Sequence, residues 1–144
     1  MATQAPLSPR AAQLAAIPML SAFSREQLER IAQAGAERTF HPGETIVRQG
    51  ERGIGFYLMI SGRADLRRSG QRIASVSPGQ FFGGSALLSD EARTTEVFAI
   101  TEVQCFVLNR WSFWAAVGID PRNDFRQYEA TVERLRSVQS ELIE

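Results

Sequence analysis

Between residues 38 and 108 the hydrophobic positions fall into short β-rich runs, closed by turn residues at nearly regular spacing. The runs are 45–47, 56–60, 64–68, 72–76, 94–100 and 103–108. The punctuation is Pro42-Gly43, Gly50-Glu51-Arg52-Gly53, Ser61-Gly62, Ser69-Gly70 and Pro78-Gly79. Many short, evenly spaced strands predict an antiparallel sandwich or barrel. Side chains alternate along a strand, so Phe56, Leu58 and Ile60 share one face while Tyr57 and Met59 share the other. Both faces are apolar, which predicts a strand buried on both sides.

On either side of this region the period becomes helical. Residues 1–9 read as a loose tail, and 10–17 as a short helix that Pro18 stops. Ser24 with Gln27 forms a capping box, Phe23 and Leu28 suit a hydrophobic staple, and Leu28, Ile31 and Ala32 make one apolar stripe ending at Gly35. After the β region, Asn109 is an N-cap and Gly118 a C-terminal stop. Trp111, Phe113 and Trp114 lie between them and are read as core or hinge packing. Asp120-Pro121 starts a last helix that runs to about residue 142. Phe125, Tyr128, Val132, Leu135 and Leu142 match the a and d positions of a short heptad pattern, with Gln139 at a remaining a position. A helix of this length is marginal alone in water, so the stripe must pack on the roll or on a twin. Glu129, Glu133, Arg134 and Arg136 are its solvated face. The domain plan is therefore a flexible N-terminal segment over 1–18, a β-roll with its helices over 19–118, and a C-terminal lid and dimerisation helix over 119–144.

Composition narrows the function. The 144 residues suit one core, and 44% hydrophobic with 22% charged is ordinary for a soluble domain. Lys plus Arg is 16 and Asp plus Glu is 16, so no basic excess points to nucleic acid. No apolar run reaches membrane-spanning length and no signal peptide is legible, so a cytoplasmic protein is expected. One Cys and one His leave no intramolecular disulfide and no zinc cluster. The sequence offers no Ser-His-Asp set and no nucleotide-triphosphate loop, so a binding module is expected and not an enzyme.

One segment breaks the strand rhythm. In residues 81–88, Phe81 and Phe82 end a strand, Gly83 and Gly84 make a tight turn, and Ser85, Ala86, Leu87 and Leu88 form one helical turn. Arg93, Thr94 and Thr95 follow. Glycines let a backbone approach a ligand closely, the helical turn presents unpaired amides, and an arginine fork matches phosphate oxygens. On these residues alone, a plain tight turn with a surface arginine explains the pattern better.

The wider order of motifs changes that balance. Pro42-Gly43-Glu44, Gly50-Glu51, residues 55–62 (GFYLMISG), residues 78–83 (PGQFFG), Ala86-Leu87-Leu88 and Arg93-Thr94-Thr95 together resemble the cyclic-nucleotide-binding domain family, from residue 20 to about 135. The resemblance implies a double-stranded β-helix or jelly-roll fold, mainly β with flanking helices and a long C-terminal helix. It implies a phosphate-binding cassette at residues 83–88, with Arg93 as the phosphate-binding arginine. Gly83, Gly84, Ser85, Ala86, Arg93 and Thr94 are the expected ligand residues, with the Ser85 and Ala86 amides near the phosphate. The ligand implied is a 3′,5′-cyclic nucleotide, cAMP or cGMP, with no other cofactor. The family usually carries Glu after the cassette glycine, where it accepts from the ribose 2′-hydroxyl; here that position is Gly84, and Asp90 and Glu91 are the alternative acceptors nearby in sequence. The residue before the arginine, commonly Pro, is Ala92. Losing an ionised acceptor typically removes ~1.5–3 kcal/mol. In some members a Thr after the arginine contacts the guanine amino group, and Thr94 stands there, although Thr is also a good strand residue.

A haem-binding relative, with His41 or Cys105 as ligand, fits less well: His41 reads as a turn residue and Cys105 lies in an apolar strand run. Two functions remain in competition. The first is a regulatory sensor that signals through its last helix, with homodimerisation through that helix. The second is a domain that kept the roll, lost the nucleotide and serves protein interaction. No DNA-reading helix-turn-helix is expected.

Overall fold

The computed structural model describes residues 6–52, 55–88 and 92–137 of the chain. Eight strands run β1 (Ala36–Phe40), β2 (Thr45–Val47), β3 (Gly55–Ser61), β4 (Ala64–Arg68), β5 (Gln71–Val76), β6 (Phe81–Phe82), β7 (Glu96–Ala99) and β8 (Val103–Asn109). They form two four-stranded antiparallel sheets, ordered β1-β8-β3-β6 and β2-β7-β4-β5. The chain changes sheet at nearly every connection, which wraps it into the expected roll.

The two faces of β3 do what their alternation predicts. Phe56 and Leu58 join the cluster shared with the helices, and Ile60 packs against it. Met59 joins the second cluster, between the sheets, where Tyr57 packs at its margin. Strand β1 was not legible as a strand, since only Phe40 of its five residues is buried. Its pairing with β8 forms it. The run at 94–100 shortens to Glu96–Ala99 because Thr94 and Thr95 belong to the Arg93 segment.

Four helices, α1 (Pro9–Ala15), α2 (Arg25–Ala34), α3 (Arg110–Val117) and α4 (Phe125–Ser137), gather against the first sheet. The Ser24–Gln27 capping box forms in both directions, at 3.1 and 2.9 Å. Asn109 Oδ1 accepts from the Ser112 N–H at 2.8 Å. The segment up to residue 18, expected to be flexible, is docked from Ser8 onward. Ala11, Leu14 and Ile17 are buried, and the Ser8 N–H and hydroxyl donate to Glu29 at 2.9 and 2.6 Å. Those two bonds hold the Glu29 carboxyl below its ordinary value. The apolar side of α1 supplies the driving force that composition did not reveal.

The last helix starts later than Asp120-Pro121 predicts. Asp120 Oδ1 accepts from the Arg122 N–H at 2.9 Å, and its carbonyl accepts from the Asp124 N–H at 2.8 Å. Asp120 therefore closes a turn, and α4 begins at Phe125. Its stripe faces its own domain: Leu135 is fully buried, Thr131 is buried, and Tyr128 and Val132 pack beside them. Phe125 stays 58% exposed. Gln139 and Leu142 lie outside the described residues. Of the three aromatics expected to pack, Phe113 and Trp114 are buried but Trp111 is 62% exposed, because α3 turns it away from the core. Glu129, Glu133, Arg134 and Arg136 are exposed, as read. Among the described residues no helix is long and apolar enough to cross a membrane.

Candidate ligand site

Gly83 follows β6 and opens the 3-10 turn Gly84–Leu87. Its φ is +82°, a conformation that L side chains rarely adopt. Space demands glycine as well. A Cβ on Gly83 would lie 2.5 Å from the Gly55 carbonyl oxygen and 2.8 and 3.1 Å from the two terminal nitrogens of Arg93. The Gly83 backbone is thus seated between β3 and the Arg93 guanidinium. Arg93 is half-buried, donates from Nη2 to the Gly55 carbonyl at 2.7 Å, and lies 5.9 Å from the centre of the Tyr57 ring. Ten residues apart in sequence, Gly83 and Arg93 are in direct contact.

The other expected residues are placed less uniformly. Gly84 and Ala86 are buried in the 3-10 turn. The Ala86 N–H, expected at a phosphate, donates to the Gly83 carbonyl at 3.0 Å. It closes the turn itself. Ser85 has its backbone in the same turn. Thr94 is exposed, whereas Thr95 is buried.

A cavity of about 240 Å³ opens beside Arg93. Ile46 and Val47 at the end of β2, Arg48, Glu51 and Arg52 after it, and Tyr57 on β3 line it with Arg93. No local sequence pattern marks the first six as ligand residues, and none announces that the end of β2 comes to lie beside Arg93. Asp90 and Glu91, the alternative sugar acceptors, lie outside the described residues. Tyr57 stacks on Phe82 at 4.9 Å with nearly parallel rings. Burial raises the Tyr57 phenol above its ordinary value, and the Arg93 charge opposes that rise in part. The wall therefore offers the Tyr57 phenol, aliphatic surface, three guanidinium groups and one carboxylate, Glu51, a net positive lining suited to an anion with an apolar or aromatic body.

The far end of the 3-10 turn is tied to the helices. The Trp114 indole N–H donates to the Leu87 carbonyl at 2.8 Å in a buried bond, and Arg110 Nη1 reaches the Ala86 carbonyl at 3.5 Å. Trp114 in turn packs on Tyr128 of α4, ring centres 4.7 Å apart. Trp114→Phe removes the indole donor and leaves a buried carbonyl unpaired, so it is expected to destabilise the domain by about 1–3 kcal/mol in urea unfolding.

The two residues considered for haem stand in unrelated settings. His41 occupies an exposed turn with Glu44, which accepts from its N–H at 3.0 Å. Cys105 is fully buried on β8, and burial pushes its thiol up to about 12. A thiol held so strongly in its protonated form is a poor metal ligand.

The chain is similar to known proteins. The cyclic nucleotide-binding domain family matches residues 37–119. A cAMP-dependent protein kinase regulatory subunit of Hypocrea atroviridis is 32% identical over 102 residues, covering 71% of this chain and 22% of its own length. That of Emericella nidulans is 36% identical over 104 residues, covering 71% of this chain and 25% of its own. The chain thus spans about a quarter of these relatives. Among solved structures, a cyclic nucleotide-binding-like protein from Brucella abortus superposes with a TM-score of 0.71 at 23% identity, over 76% of this chain and 98% of that one. The regulatory domain of Toxoplasma gondii PKA, crystallised with cAMP, gives a TM-score of 0.67 at 26% identity over 85% of this chain and 48% of its own. The fold and these similarities agree: the chain belongs to the cyclic nucleotide-binding domain family.

Proposed function

We propose that this domain is a non-enzymatic regulatory module that binds a 3′,5′-cyclic nucleotide, cAMP or cGMP, with its phosphate on Arg93. The observation that carries the reading is the fit of Gly83 against the Arg93 guanidinium. A residue without a side chain lets the backbone lie close to the arginine fork. The relatives whose names specify cAMP support the ligand class.

The response of such a module is carried by contacts that differ between its states. Trp114 bonds the end of the cassette and packs on Tyr128, so it links the 3-10 turn to α4. Among the described residues, those lining the Arg93 cavity come from β2, β3 and the segments beside them and not from α4. Self-association through α4 belongs to the same reading and engages the exposed Phe125 side, since Leu135 is sealed within its own domain. Sedimentation with and without nucleotide checks it: a monomer at high concentration in both conditions removes the dimer.

Calorimetric titration with cAMP and cGMP, and with AMP as control, tests the ligand reading. Saturable binding of a cyclic nucleotide, with AMP weaker, supports it. Silence with both cyclic nucleotides leaves the interaction-domain reading, which the absence of a carboxylate at Gly84 favours.

A further inference from the structure

Helix α3 borders a groove that has no part in the Arg93 cavity. Trp111, Ala115 and Gly118 are exposed, and their spacing of four and three residues puts them on one side of the helix. The groove, about 670 Å³, runs from Trp111 across Ala115 and Gly118 to Pro121 and Arg122. Its floor is open at Gly118, where an added Cβ would meet nothing within 4 Å. A guanidinium stands at each end. That of Arg110 lies 5.1 Å from the centre of the Trp111 ring, and the Arg122 side chain is 89% exposed. Asp120, the one carboxylate among the described lining residues, is engaged by its own turn. Its Oδ1 accepts from the Arg122 N–H at 2.9 Å and its Oδ2 from the Asn123 side-chain amide at 3.2 Å. The groove is therefore apolar along its length and positive at its ends. An indole left 62% exposed between arginines has the composition of a binding hot spot.

The chain itself carries a segment of complementary chemistry. Residues 138–144 lie outside the described residues. They include the aliphatic Val138, Leu142 and Ile143 and the acidic Glu141 and Glu144, with no Lys or Arg among them. Reach decides whose groove they meet. Helix α4 sets Ser137 about 18 Å from Phe125, which follows the groove by three residues. Seven extended residues span at most about 24 Å. Turning back over α4 and then lying along the groove takes more than that, so the segment reaches the groove of a neighbour and not its own. We propose that the Trp111 groove receives residues 138–144 of a second copy, with the aliphatic side chains against the indole and the carboxylates at Arg110 and Arg122. Two copies that exchange these segments close a two-fold pair. This contact leaves the Phe125 side of α4 unused and is independent of the nucleotide reading.

Sedimentation of the full chain tests it, on wild type, Trp111→Ala, Arg122→Glu, Phe125→Ala and the double variant Glu141→Arg, Glu144→Arg. Wild type is expected to pair reversibly, and less tightly as salt is added, because exposed charges are screened. Trp111→Ala weakens pairing by roughly tenfold or more, the usual effect of truncating an aromatic anchor. Trp111, Arg122 and Phe125 are exposed, so their replacement leaves the core intact. Arg122→Glu and the double variant each pair poorly alone, since groove and segment then carry like charge. An equal mixture of the two restores pairing, because each groove again meets a segment of opposite charge. Phe125→Ala pairs as wild type does. A wild type that stays monomeric at high concentration overturns the inference. Pairing that withstands Trp111→Ala overturns it, as does a mixture that fails to restore pairing. Pairing that falls with Phe125→Ala overturns it too, and returns the interface to α4.

Discussion

Replacing Arg93 by Ala is expected to weaken cyclic nucleotide binding by roughly a hundredfold or more, because it leaves the ligand's charged phosphate without its forked donor. The guanidinium is fixed before any ligand arrives: Nη2 is held on the Gly55 carbonyl at 2.7 Å, and Gly83 packs against both terminal nitrogens. Preorganisation of this kind spares the ligand the cost of ordering a long side chain. Arg93→Lys keeps the charge and loses the planar fork. It falls between wild type and Ala, roughly tenfold below wild type. Calorimetric titration of the three proteins gives the series, and urea unfolding of each shows whether the lost bond to Gly55 has also weakened the fold. Wild-type affinity in a folded Arg93→Ala protein would remove Arg93 from the site.

The second large effect concerns Gly83, and it is read against Gly43. Both have positive φ, +82° and +90°. A Cβ on Gly43 meets nothing within 4 Å, so Gly43→Ala bears only the left-handed strain, about 1–2 kcal/mol. A Cβ on Gly83 would stand 2.5 Å from the Gly55 carbonyl oxygen, which belongs to strand β3 and has little room to retreat. Gly83→Ala is therefore expected to cost about 3 kcal/mol or more, the strain together with the overpacking. It should also push Arg93 off its seat, so the surviving folded protein binds nucleotide poorly. Urea unfolding midpoints of the two variants give the difference. Equal destabilisation by both would mean that the Gly83 turn yields easily and that its contact with Arg93 does not hold the site together.

Much of this architecture is set by the sequence alone. Alternation in β3 fixed which residues face the helices and which face the second sheet, because a strand has only two sides and both were apolar. Caps at Ser24 and Asn109 were legible because each works within three residues of its own backbone. The Gly83–Arg93 pair was legible through an ordered set of motifs, since a positive φ in a crowded turn admits hardly any residue but glycine. What the sequence could not decide depends on partners distant along the chain. Strand β1 is mostly polar and exists by its pairing with β8. The N-terminal segment is ordered by burial of Leu14 and by Ser8 reaching Glu29, twenty-one residues away. A heptad stripe says that Tyr128, Val132 and Leu135 must be covered, and only the tertiary structure shows that their own domain covers them. Trp111 and Trp114 have the same local signal, and the rotation of α3 exposes one while the other reaches the Leu87 carbonyl. The wall of the cavity is the clearest case. Ile46, Val47 and Glu51 stand more than forty residues before Arg93, and Glu51 comes beside it through backbone hydrogen bonds between the two segments, which no local pattern records.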